Sequence, residues 1–91
     1  MIQNIISDEL IEKEKARIEL SLEKINFSKS KMAQEIHGFV KNYFADSTYF
    51  FEKGDYISAF EALLICWAYL DVSAKLGIIL IPDEIKESFT V

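Results

Sequence analysis

Apolar residues recur at helical spacing through most of this chain, and the polar residues between them mark where each helix begins and ends. Ser7 before Asp8 and Glu9 is a helix start, a hydroxyl to cap free amides followed by negative charge at the positive end of the dipole. From there Ile11, Ile18, Leu22 and Ile25 form one stripe, with Glu9, Glu12, Lys13, Glu19 and Glu23 on the other side. The polar break at Asn26 offers Ser28 or Ser30 as the next cap. Met32, Ile36, Phe39, Val40, Tyr43, Phe44, Ser47, Phe50 and Phe51 then keep the i, i+3, i+4 spacing without a proline. Gly54 suits the left-handed residue that ends a helix, and Asp55 is a preferred cap for the next, so the second and third helices form a tight antiparallel hairpin. The pattern predicts helices over 8–26, 29–53 and 55–76 with a tail over 77–91: an all-α, up-down-up antiparallel three-helix bundle.

The third helix differs in kind. Between Tyr56 and Leu70 only Ser58 and Glu61 are not apolar. At about 100° per residue, Tyr56, Phe60, Leu63, Leu64, Trp67 and Ala74 share one face, while Ala62, Ile65, Tyr69, Val72 and Leu76 share the opposite one. A helix of a three-helix bundle hides one side, so the second face requires a cover. Two are available: the chain's own run Ile78-Ile79-Leu80-Ile81 folding back from Gly77, or another molecule. The residues after Pro82 suit a short terminal helix.

Ninety-one residues support one domain, since a core of ordinary size takes about 100 to 150 residues. Fifteen acids against ten bases give a net charge of -5, and the bases are scattered, so no surface is laid out for a phosphate backbone and nucleic acid is not an expected partner. The start, Met1 to Ile6, lacks the basic flank of a secretory signal. The uncharged runs 62–70 and 76–82 fall short of the roughly 18 residues that read as a bilayer span. The expectation is a cytoplasmic protein without a membrane partner. One cysteine, Cys66, and one histidine, His37, do not make a zinc site, and no acidic loop of the calcium-binding type occurs, so no metal and no cofactor is expected.

The stretch Tyr49-Phe50-Phe51-Glu52-Lys53-Gly54-Asp55-Tyr56, followed by Ala59-Phe60, Leu70-Asp71 and Leu76-Gly77, resembles the domain of unknown function 357 family. The resemblance is clear over the last half of the chain and extends to the first helix by position and character. It implies a small archaeal three-helix bundle and brings no activity and no catalytic residue with it. The chain departs from the family pattern at Ala68-Tyr69, where a glycine and a tryptophan are usual, and at Val72-Ser73.

Asp71 is the polar residue that most needs explaining, because helical rotation sets it beside Phe60, Leu64 and Trp67. About a hairpin centred on Gly54, facing positions have numbers summing to about 108 from helical rise, which brings His37 level with Asp71. A structural polar pair, Asp71 with His37, follows, with the histidine pKa raised. The same pair beside Tyr43 could instead serve an acid-base or ligand site in a cleft between helices two and three. Cys66, inside an apolar run, reads as an inert packing residue. Tyr49 points away from its stripe, near Gly38, Asn42 and Ala45, and suits a contact surface.

These residues favour a non-catalytic module for protein–protein interaction or self-association, with Ala62, Ile65, Tyr69, Val72, Leu76 and Tyr49 as interface candidates. Its partner is a second copy, as in a homodimer, or another protein. The alternative is a small-ligand binder or enzyme built on Asp71 and His37.

Overall fold

The computed structural model describes residues 6–89. Residues 1–5 of the amino-terminal segment and the last two residues of the tail, Thr90 and Val91, lie outside the described residues. Three α-helices, α1 (Asp8–Lys24), α2 (Lys31–Glu52) and α3 (Tyr56–Lys75), precede a short 3-10 helix, η1 (Asp83–Ser88).

Each start is fixed by a side chain read from the sequence. Ser7 Oγ accepts from the Leu10 amide at 3.1 Å, Ser30 Oγ from Ala33 at 3.2 Å, and Asp55 Oδ1 from Ser58 at 3.1 Å. Two ends use the same glycine device. Gly54 at φ 79° turns the chain so that the Asp55 amide reaches Phe50 O at 2.9 Å, and Gly77 at φ 77° lets Ile78 reach Ser73 O at 2.8 Å. The first of these turns leaves Lys53, Gly54 and Asp55 as the whole connection between α2 and α3. The hairpin register is the expected one: Phe51 stacks on Tyr56 at 5.3 Å and Phe39 lies 5.4 Å from Tyr69.

α3 is the central element. α2 packs along it most extensively, and α1 packs against it from the other flank. The core takes Ile11 and Ile18 from α1 and Ile25 from its C-cap, Val40 from α2, Ala59, Leu63, Cys66 and Leu70 from α3, and Ile79, Ile85 and Phe89 from the tail. The buried stripe of α3 therefore runs midway between the two faces read from its sequence. Leu63 alone of the first face and Ala62 alone of the second are fully inside it. Small residues line the seam: Ala33 and Ser47 of α2 and Ala59, Ala62 and Ser73 of α3 are all buried. The buried hydroxyls of Ser21 and Ser47 donate to carbonyls of their own helices, Arg17 O at 2.9 Å and Phe44 O at 2.6 Å, so neither is left unsatisfied.

The tail folds back on its own bundle, but not over the second face of α3. Leu80 pairs with Asn26 in an antiparallel bridge at the α1–α2 connection, Ile79 and Ile85 are buried, and Phe89 meets Trp67 edge-on at 5.2 Å. It thus closes the flank where α1 meets α3. Ile79, Ile85 and Phe89 join the buried core that includes Ile25, and Phe89 also covers the edge of Trp67.

Candidate functional site

Because α1 and α2 occupy the two flanks of α3 and the tail sits beside α1, the fourth side of α3 faces outward. Ile57, Leu64, Ile65, Val72 and Leu76 are exposed there, Val72 at 53% and Leu76 at 70% of full accessibility. Burying such side chains is normally favourable by about 1.5–3 kcal/mol each, which makes a contiguous exposed run of them informative where a single one is not. Ala68 lies among them, and the only charged residues on this side of the helix are Glu61 and Lys75, with Asp71 at its edge. Toward its C-terminal half the face dips into an apolar groove of about 450 Å³, bounded by Ile36 of α2, by Ile65, Tyr69 and Val72 of α3 and its C-cap Leu76, and by Ile78 of the tail.

Four of the interface candidates, Ile65, Tyr69, Val72 and Leu76, thus come together around one groove. Ala62 does not belong with them: it is buried, turned toward α2 where the close-packed seam needs a small residue. Tyr69 is shared, since its ring packs on Phe39 and on Tyr43, 6.0 Å away, and so forms the wall of the groove. Tyr49 is exposed, as expected of it, but lies outside the groove, against Phe50 and with the Lys53 ammonium 5.4 Å from its ring centre. Leu64, placed inward from the sequence, is half-exposed on the outward face. Taken by length and composition, the 20 residues of α3 would also suffice to cross a bilayer, which the short uncharged runs had concealed; one side of the helix is nevertheless buried as the centre of the bundle.

The expected Asp71–His37 pair is corrected by the structure. Asp71 accepts an ion-paired hydrogen bond from Lys75 Nζ at 3.1 Å, one turn along its own helix. His37 stacks on Phe27 with ring centres 4.2 Å apart and planes 9° from parallel. Burial first and the Lys41 charge second push the His37 pKa below its ordinary value, the reverse of what a carboxylate partner would do. The level of the two residues along the hairpin was right and the rotation wrong. Asp71 shares the face of Trp67, which is turned to α1, while Phe27 provides a flat apolar surface for the imidazole. Tyr43 goes to Tyr69. The three residues of the alternative cleft therefore do not converge.

A polar cluster that sequence reading missed holds α1 to α3. The Trp67 indole Nε1–H donates to Glu14 Oε1 at 2.9 Å, and Arg17 donates to both carboxylate oxygens of Glu14 at 2.8 and 3.1 Å. The Arg17 guanidinium also lies 4.9 Å from the Trp67 ring centre. Glu14, Arg17 and Trp67 thus satisfy one another's polar groups in a half-buried setting, with Phe89 closing the indole edge. The signal in the sequence was an acid and a base three residues apart next to the apolar stripe of α1, a spacing that ordinarily marks only a solvated surface pair.

Cys66 is fully buried, its Sγ 3.4 Å from Val40 O, and burial pushes the thiol up to about 12. Among the described residues no three His, Cys, Asp or Glu side chains gather closely enough to hold a metal ion.

A family model described as a protein of unknown function (DUF357) matches residues 9–79, which takes in α2, α3 and all of α1 but Asp8, and stops before η1. No curated protein and no solved structure matches the chain.

Proposed function

The chain belongs to the DUF357 family, whose description assigns no activity, and from the surface of α3 we propose that the protein is a non-catalytic interaction module whose binding surface is the outer face of that helix. One observation carries this reading: five large apolar side chains, Ile57, Leu64, Ile65 and Val72 of α3 and Leu76 at its C-cap, stand exposed, while the chain's own tail touches this face only at Ile78 and packs its later residues elsewhere. Monomeric soluble proteins seldom leave such a stripe open, and where they do it commonly marks a contact surface. Catalysis gains no comparable support, since the candidate acid and base, Asp71 and His37, are engaged with Lys75 and Phe27.

The experiment is a double charge substitution, Ile65→Glu with Val72→Glu. Both positions are exposed, so helicity and melting temperature should stay close to those of the wild type. The variant should lose both concentration-dependent association and capture of any partner from a lysate of the source organism by the immobilised chain. A wild-type chain that neither associates nor captures a partner sinks the reading. So does a variant that behaves like the wild type in both assays.

A further inference from the structure

The outer face of α3 has an internal symmetry of charge. Glu61 and Lys75, of opposite sign, stand seven residues to either side of Ala68, about 10 Å in each direction along the helix. At about 100° per residue, Glu61, Leu64, Ala68, Val72 and Lys75 all fall within an arc of about 80° centred on Ala68. Glu61 is exposed and half of the Lys75 side chain is open to solvent. Turning a second α3 end for end about an axis through Ala68 sets each Glu61 against the partner's Lys75, twice over, and sets each Ile65 against the partner's Val72. The residue at the centre is alanine, small enough for two helix backbones to approach closely. A face with this arrangement is complementary to itself, as an isologous interface requires.

We propose that the occupant of this face is a second copy of the same chain, α3 against α3 in antiparallel two-fold register about Ala68, with paired Glu61–Lys75 contacts at both ends. The proposal rests on the interaction-module reading and narrows it to one partner and one register. The choice of partner comes from charge complementarity. A partner with a wholly apolar face would leave Glu61 and Lys75 opposite grease, and a membrane surface would bury both charges at cost. A second copy meets each with its opposite.

The test uses charge reversal on the full chain, read by sedimentation across a concentration series. Glu61→Lys alone, or Lys75→Glu alone, places like charges at both ends of the interface and should weaken the homodimer at least about tenfold. Mixing the two single variants restores attraction at both ends and should give a heterodimer, and the double reversal in one chain should recover the homodimer. Independently, Ala68→Cys should cross-link to itself on mild oxidation, whereas the wild type, with only its buried Cys66, should not. If the wild type associates and Ile65→Glu with Val72→Glu abolishes it, but neither charge reversal nor the Ala68→Cys cross-link behaves as stated, the register is overturned and the module reading stands. A wild type monomeric at every concentration overturns self-pairing, and the lysate capture above then decides the module reading separately.

Discussion

Glu14 and Trp67 lie 53 positions apart in sequence and meet at 2.9 Å, which ties α1 to α3 through a side-chain hydrogen bond. Glu14→Ala leaves the half-buried indole N–H without its acceptor and removes the carboxylate that fixes Arg17. A loss of about 1–3 kcal/mol in denaturant unfolding is the expected result, with a smaller loss for Glu14→Gln, which keeps an acceptor. Gly38, inside α2, has open space where a Cβ would stand, and Gly38→Ala should raise stability by about 0.5–1 kcal/mol. Cys66 should resist alkylation in the folded protein and react fully once unfolded. Its folded pKa of about 12 exceeds the ordinary value of 9.0, so it contributes stability that is present below pH 9 and lost as pH rises toward 12. His37 acts at the other end of the scale. With its folded pKa held below 6.5, the unfolded chain takes up the proton more readily, and stability falls as pH drops below 6.5 through the folded value. An NMR titration of the single histidine checks this, and a midpoint above 6.5 would contradict the Phe27 stack.

At the scale of elements, the three starts and the two glycine ends were legible because each depends on a local rule: an oxygen that accepts from an amide three residues on, or a residue free to adopt positive φ. The α2–α3 register was legible for a similar reason, since a turn this short fixes the level of every later pair. Rotation about the helix axis was not. The flat apolar content of α3 gives no preferred face, and the buried stripe through Ala59, Leu63, Cys66 and Leu70 was decided by where Phe44 and Phe51 of α2 and the isoleucines of α1 could fit. That single ambiguity accounts for the misplaced Leu64, the buried Ala62 and the Asp71–His37 pair. The candidate groove was legible as a surplus of apolar residues, not as a place. The tail's destination depended on Trp67 and Ile25 offering an open edge. Phe89→Ala should accordingly cost about 3 kcal/mol or more, as other buried phenylalanines do, and should loosen the Trp67 environment, seen as a shift in its fluorescence.

The whole molecule measures 43 × 23 × 19 Å, so both short dimensions are about two helix diameters. Three helices and a tail within that cross-section cannot surround any one of them. The greasiest helix nevertheless occupies the centre, where α1 and α2 both reach it and a fourth side stays open. Self-pairing would add the missing layer, turning two thin bundles into a thicker one with α3 of each copy inside. The acidic balance of the chain acts against indiscriminate clumping: each copy carries a net charge of -5, which keeps copies apart except where opposite charges face each other.

The three-residue connection at Gly54 also bears on how the chain acquires its shape. Contacts across that turn link near neighbours in sequence, and loop closure there is entropically cheap, while the Glu14–Trp67 and Asn26–Leu80 contacts each close more than fifty residues. The α2–α3 hairpin is therefore the natural nucleus, with α1 and the tail docking afterwards as the outer, more readily opened layer. Backbone amides of α1 should exchange with deuterium sooner than those in the middle of α3.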